Sequence, residues 1–390
     1  MSKSSIFTQT ATERVLIGAP AAQSIAEEAA RLGARRVFLL VSASLNRNTD
    51  EIAKVKQALG ARCAAVFDGV PPHVPRAAVL AAAAQARAVQ ADLVVSIGGG
   101  SVTDCAKILT IALKHGFKTH EDMEPFHIYV EPGGAVRNPD YAAPEVRAIC
   151  VPTTLSGGEF NPLSGATDER IRIKQGYEQR MMAPVTVILD PAMTVYTPEW
   201  LWLSTGVRSL DHAMETLGSL QSNDFCDGMA DSALRLLADG LMRVKRDPKD
   251  LEGRLRCQQG AWQSMVPLIA GVPMGISHAT GHALGGTFNV PHGHTSCVMA
   301  PYALAFNAPV NGERQKRIAA ALGAPDQAAS AAADRFIRGL GMPRSLREVG
   351  LAESDLPRLA EAMMHDFWTR TNPRTVESPE QAIAFLKTAL

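Results

Sequence analysis

The chain has 390 residues, enough for two domains, with 46% hydrophobic and 20% charged residues, a balance that suits a globular protein with substantial cores. Thirty-nine Lys+Arg face 39 Asp+Glu, so no basic field points to nucleic acid and no charged run to an electrostatic partner. The start, Met1 to Thr8, lacks the apolar core of a secretory signal, the apolar runs are too short for a membrane span, and six scattered cysteines contain no CxxC pair; the expectation is a cytoplasmic protein with reduced thiols.

Taken in chain order, the first half alternates short β-branched runs with alanine-rich stretches. Arg36 to Ser42 reads as a buried strand and Cys63 to Phe67 as another. Arg76 to Gln90 reads as a helix, and Leu93 to Ile97 as a third strand. A Gly/Pro-rich excursion from His115 to Glu145 reads as either a substrate lid or a plain surface excursion. Ala148 to Val151 and Val185 to Leu189 complete the strands. Strand–helix alternation predicts a parallel sheet covered on both faces. From about Pro198 the β-branched runs vanish and helical spacing continues to Leu390, as in Met229 to Val244. Asp190-Pro191 is the expected joint, giving an α/β domain over 1–190 and an all-helical domain over 191–390. A cleft between the two is the default ligand site.

Two loops follow strand ends. Gly98-Gly99-Gly100-Ser101 precedes Val-Thr-Asp104-Cys-Ala-Lys107. Its glycines let backbone N–H groups approach a phosphate, and the following helix start favours an anion. It is neither GxGxxG nor a Walker A loop, and a tight structural turn is the competing reading. Pro152-Thr153-Thr154, followed by Ser156-Gly-Gly-Glu159, repeats small donors after a strand end. Two such loops at one sheet end suit a dinucleotide better than a lone phosphate.

In the second half, His278 and His282 stand four apart and share a helix face. Gly285-Gly286 is expected to break that helix, and Pro291-His292-Gly293 to start the next. Helices presenting imidazoles from both arms can hold a divalent cation or polarise a carbonyl. A His pair alone is more often structural; the third His turns the reading toward function.

Together these segments resemble the iron-containing (group III) alcohol dehydrogenase superfamily along nearly the whole chain. The marks are Gly98 to Ser101 with Asp104 and Lys107, Pro152 to Thr154, Gly206 to Glu215, the histidines 278, 282 and 292, and Asn372-Pro-Arg374. The resemblance implies an α/β dinucleotide-binding domain followed by an all-α domain, the dehydroquinate synthase-like fold. It implies NAD(H) or NADP(H), with Gly98, Gly99, Gly100, Ser101 and Asp104 near the pyrophosphate and nicotinamide side. Thr153 and Thr154 would lie near the nicotinamide ribose, and His282 near the reacting carbon. It also implies a homodimer or larger assembly.

Metal-binding relatives use one Asp and three His. His212, His278 and His292 match the histidines, but Arg208 stands at the Asp position. A guanidinium cannot coordinate a cation and would repel one. Asp211, next to His212, is about a hundred degrees around the helix and a poor substitute; pairing with Arg208 at i, i+3 is its alternative. The departure resembles maleylacetate reductases, as do His282 to His292 and Gly341 to Gly350. Arg208 is then expected to clamp an oxo-acid carboxylate or steady a developing alkoxide, with His282, His278, His212 and His292 shaping the reacting site.

At the second strand end Ser42 stands where NAD-preferring relatives carry Asp, so a 2′-phosphate is not repelled, and Arg47 is its candidate partner. The function expected is carbonyl or oxo-acid reduction, probing three rivals: an iron- or zinc-dependent alcohol dehydrogenase, a lyase resembling dehydroquinate synthase, and a non-catalytic cofactor-binding module.

Overall fold

The structure, a computed structural model, describes residues 7–131 and 135–390. It forms two compact units, residues 10–196 and residues 197–390 with 7–9.

The first unit is built on six strands: β1 (Arg14–Ile17), β2 (Val37–Val41), β3 (Cys63–Phe67), β4 (Leu93–Gly98), β7 (Arg147–Pro152) and β10 (Thr186–Leu189). Two short antiparallel pairs stand apart, β5 (Tyr129–Val130) with β6 (Val136–Arg137), and β8 (Leu163–Asp168) with β9 (Ile173–Glu178). The main sheet is parallel throughout, in the order β1-β10-β7-β4-β2-β3. Its helices are α1 (Ala21–Arg31), α2 (Ala43–Asn48), α3 (Glu51–Leu59), α4 (Arg76–Ala88), α5 (Gly100–His115), and the short α6 (His120–Met123) and α7 (Pro191–Thr194).

Strand periodicity divides the apolar side chains between two cores. From β2, Phe38 and Leu40 join the helices α4 and α5, while Val37, Leu39 and Val41 join α1 and α3. Both sheet faces are therefore covered, and the inner strands β2, β4, β7 and β10 read as largely continuous apolar runs because they are buried on both faces. The five expected strands are present, and β1 is an additional edge strand whose polar flanks hid it from a hydrophobicity reading.

The excursion after α5 is packed at its base. His115, Phe117, Phe126 and Tyr141 form an aromatic cluster with centroid distances of 4.6–6.2 Å. Residues 132–134 of it lie outside the described residues. The β8–β9 hairpin is locked to α4 by the fully buried Arg76, which donates to Tyr177, Glu124 and Asp168. Glu169 accepts from the first two amides of α4 at 3.0 Å. His120, Asp168 and Glu169 together offer ligand atoms within 4.8 Å. Asp168 is nonetheless already bound to two guanidinium groups, those of Arg76 and Arg170, so this group serves the hairpin. Asp190 accepts from Ala21 N–H at 2.7 Å and caps α7 through Ala192 N–H at 2.9 Å, so the chain passes through Pro191 inside this unit.

The second unit is helical: α8 (Glu199–Gly218), α9 (Asp224–Arg246), α10 (Leu251–Ile269), α11 (Ile276–Phe288), α12 (His292–Ala321), α13 (Ala329–Gly339), α14 (Leu356–His365), α15 (Phe367–Thr371) and α16 (Pro379–Lys387). α8 is buried along almost all of its length after Leu201, wrapped by α9, α10 and α12. A helix buried on every side must be apolar or have its polar groups partnered, and α8 carries Arg208, Asp211, His212 and Glu215.

The expected break at Gly285-Gly286 is corrected: both glycines lie inside α11, which runs to Phe288. The helix stops at Asn289 in the left-handed conformation, φ 56°, a residue that tolerates that region as a C-cap. α12 then begins at His292 behind Pro291, as the Pro-His-Gly signal predicts. Among the described residues, no helix is long and apolar enough to cross a membrane.

Candidate active site

In the first unit, β4 and β7 lie side by side with Gly98 opposite Pro152. The Thr153 N–H donates to the Gly98 carbonyl at 2.9 Å, so the turns after both strands leave together. A Cβ at Gly98 would stand 2.7 Å from Val102 Cγ2, one at Gly99 3.1 Å from Thr154 Cγ2, and one at Gly100 3.3 Å from Ser156 Oγ. Side chains here would push the two turns apart. Bare backbone at the N-terminus of α5 forms a cradle that fits a diphosphate. Ser101 is in the first turn of α5, and Thr154 Oγ1 and Ser156 Oγ share a hydrogen bond of 2.9 Å.

Asp104 stands 3.8 Å from Lys107 Nζ and 3.5 Å from Lys174 Nζ. Lys107 is an anchor: fully buried, it donates to the carbonyls of Gly158 (2.7 Å), Asn161 (3.2 Å) and Leu163 (2.5 Å). Burial pulls its pKa down. Glu159 lies inside the same loop, 4% exposed, where burial pushes its carboxyl up to about 7. Ser42 N–H donates to the Ile97 carbonyl at 2.8 Å, and its hydroxyl meets Ser44 Oγ at 2.9 Å. Arg47 is ion-paired with Asp68 at 3.0 Å, and Asn46 donates to the same carboxylate at 3.0 Å. The candidate phosphate partner thus already has a counter-ion.

In the second unit, the four expected histidines form two stacked pairs. The His212 and His278 rings are 4.7 Å apart at 28°, and the His282 and His292 rings 6.1 Å apart at 7°. The indole of Trp368 meets His278 at 5.6 Å, edge-on, and His282 at 4.8 Å. His278 and His282 do share one face of α11, as their spacing predicts.

Behind His278, two α8 carboxylates four apart meet the start of α11. Glu215 accepts from Gly275 N–H (2.9 Å), Ser277 N–H (2.9 Å) and His278 Nδ1 (2.7 Å). A carboxylate at a helix N-terminus is favourably placed against the helix dipole. Asp211 accepts from Ser277 Oγ at 2.7 Å and lies 3.4 Å from His278 Nδ1. Asp211 comes beside His278 because α11 packs on the side of α8 bearing Asp211 and Glu215. Burial raises both carboxyls, and Glu215 adds to the rise of Asp211. Burial holds His212 and His278 well below the ordinary imidazole range, and Arg208 adds to this in both. Two nitrogens of these neutral rings, His212 Nδ1 and His278 Nε2, are buried without a hydrogen-bond partner.

Arg208 is 4% exposed and donates from Nη1 to Ser296 Oγ at 3.1 Å. Arg208 donates to Ser296, while Asp211, its alternative partner, supports the guanidinium charge. Burial lowers Arg208 to about 10, which leaves it charged at neutral pH. Gly281 makes the room: a Cβ there would stand 3.1 Å from Arg208 Nη1 and 2.8 Å from Thr295 Oγ1. Asn372 proves to be a clamp, accepting from Ile276 N–H (3.0 Å) and exchanging two hydrogen bonds with Asn307 (2.7 and 3.0 Å).

Sequence reading missed Asp366, which meets His282 Nδ1 at 2.8 Å across 84 positions, and gave no role to Glu215. Only Glu215 had a signal, lying three residues after His212 and four after Asp211 on one helix.

Comparison with known proteins matches residues 12–191 to the family described as iron-containing alcohol dehydrogenase and residues 202–390 to the Fe-containing alcohol dehydrogenase family, C-terminal. Maleylacetate reductase 1 of Cupriavidus pinatubonensis is 31% identical over 366 residues, covering 94% of this chain and 92% of that protein. The chain belongs to the iron-containing alcohol dehydrogenase family. Maleylacetate reductase of a Pseudomonas species is 32% identical over 375 residues, covering 96% of this chain and 94% of that protein. The crystal structure of maleylacetate reductase from Agrobacterium tumefaciens superposes with a TM-score of 0.82 at 27% identity, covering 100% of this chain and 98% of that one. The protein is a dehydrogenase/reductase of this family, similar to maleylacetate reductases.

Proposed function

We propose that the protein reduces maleylacetate or a closely related oxo-acid with NADH or NADPH and does so without a bound metal ion. The observation that carries the reading is Arg208, a charged guanidinium buried beside His212 and His278 in place of the carboxylate that a cation would need. The donors His212, His278 and His292 suit iron or zinc, but the guanidinium does not: it adds positive charge where a metal would have to be neutralised. Asp211, Glu215 and His278 also offer ligand atoms within 4.8 Å, yet they are already bonded to one another and to Ser277.

The cradle at Gly98, Gly99 and Gly100 supports binding of the diphosphate, with Ser101, Asp104, Thr153 and Thr154 on its rim. The nicotinamide, when bound, supplies the hydride. Arg208 binds the substrate carboxylate or the oxygen that gains charge during reduction, a charge-assisted contact in a dry site. His278 is held by Glu215 as the Nδ1–H tautomer, which aims a neutral Nε2 acceptor into the cluster. His282 supplies the proton that balances the hydride, whether the hydride goes to a carbonyl or to the conjugated system of an oxo-acid such as maleylacetate. Ser42, with no acidic side chain at that strand end, admits either cofactor; equal NADPH/NADH specificity in wild type and Ser42→Asp would refute this.

The test is NADH oxidation with maleylacetate in a strong chelator. Undiminished turnover is expected. Activity that is lost to the chelator and restored by iron or zinc would return His212, His278 and His292 to the role of ligands and favour a metal-dependent alcohol dehydrogenase.

A further inference from the structure

We propose that Asp366 is the positioning residue that sets the tautomer and orientation of His282. The inference rests on the reading of His282 as the proton donor. Three observations converge on one ring. Asp366 Oδ2 meets His282 Nδ1 at 2.8 Å. The Trp368 indole lies against the ring at 4.8 Å and 31°. The His282 side chain keeps 40% exposure while that of Asp366 keeps 18%, so the carboxylate is the more enclosed partner and the imidazole faces outward.

Asp366 is itself rigid. Its other oxygen, Oδ1, accepts from the Trp368 N–H at 2.9 Å and caps α15. One carboxylate therefore fixes both the start of the helix that carries Trp368 and the nitrogen of the ring resting on Trp368. With Nδ1–H donated to Asp366, Nε2 is the nitrogen left for substrate. When hydride adds to the carbonyl carbon, or to the far carbon of a C=C conjugated with it, the π electrons move to the carbonyl oxygen. That oxygen takes the proton from Nε2 of the His282 imidazolium, leaving neutral His282 with Nδ1–H still on Asp366. The Asp366 carboxylate keeps hold of Nδ1–H through the transfer, so the ring is left in the correct tautomer after it.

Two substitutions separate this role from helix capping. Asp366→Ser keeps a good N-cap but is too short to reach His282. Asp366→Asn keeps the capping oxygen and presents its NH2 to the ring, which forces Nδ1 to accept and moves the proton to Nε2. The experiment is 15N NMR of histidine-labelled protein, with His282→Gln to assign the signal, alongside steady-state kinetics. The wild type is expected to show His282 as the Nδ1–H tautomer, Asp366→Asn as Nε2–H, and Asp366→Ser as a mixture. In both variants kcat is expected to fall at least about tenfold, toward the contribution typical of one proton-transfer group, with the cofactor KM unchanged.

An Nε2–H tautomer in the wild type, or an unchanged tautomer in Asp366→Asn, would overturn the proposal. So would a kcat within twofold of wild type in both variants. The NMR measurement does not need turnover. Failure of the wild type on every oxo-acid would sink the functional reading while the tautomer still decides the role of Asp366.

Discussion

Arg208 is the residue on which the proposed chemistry turns. Its charge is buried, so removing it costs far more than removing a surface arginine. Arg208→Ala is expected to lower kcat/KM for the oxo-acid by roughly 30-fold or more, from a charge-assisted contact worth about 2 kcal/mol or above. A loss under about threefold, or ~0.6 kcal/mol, would mean that the guanidinium serves only the Ser296 contact. Arg208→Lys should recover little, since an ammonium lacks the planar fork. The substitution itself was legible in the sequence, because the resemblance that matches His212 to a ligand histidine of metal-binding relatives sets Arg208 at their Asp position. Its direction was not: the side chain chose Ser296, 88 positions away, over the neighbouring Asp211. Helical spacing says which residues share a face, but only packing says which face α11 covers. The same limit hid Asp366.

At the scale of elements, glycine does opposite things in two places. After β4 it keeps two turns in touch, and Gly99→Val is expected to raise the dissociation constant for NADH by pressing on Thr154, measured by calorimetry. An unchanged constant would remove the turn from the cofactor site. Inside α11, Gly281 makes room for Arg208, whereas a Cβ at Gly286 would meet nothing within 4 Å. Gly281→Ala is expected to cost about 1–3 kcal/mol of stability by overpacking, read from urea unfolding. Gly285-Gly286 misled because a double glycine lowers helix propensity, while the burial of α11 through Leu284 and the cap at Asn289 override it. The five apolar strands were legible because a two-faced sheet demands continuous apolar runs. β1 and the β8–β9 hairpin were not, since their pairing is fixed by Arg76 and by edge contacts rather than by pattern.

For the molecule as a whole, buried ionisable groups set the pH dependence of stability. Glu159 has a folded-state pKa of about 7, raised by burial above an ordinary value of 4.5. The folded state therefore holds a proton that the unfolded state has released across that window, and stability falls as pH rises from about 4.5 to about 7. His212 and His278 act in the other direction. Their folded pKa values are depressed below 6.5, so their contribution is present above that pH and is lost as pH falls below it. Glu159→Gln should remove the first component. The variant is expected to gain on wild type by a few kcal/mol, roughly 3, between pH 5 and pH 8 in urea titrations. A gap independent of pH would show that Glu159 is ionised throughout.

Trp368 gives the second unit a built-in optical probe. Its indole touches two imidazoles, His278 and His282, that the proposed chemistry uses, whereas Trp202 rests against Arg254 and Trp200 against His294. Imidazole quenches an excited indole most strongly when the ring is charged, so any molecule that displaces or recharges His282 changes the light Trp368 emits. Occupancy of this site can thus be followed in a dead enzyme as well as a live one, and the signal should vanish in Trp368→Phe.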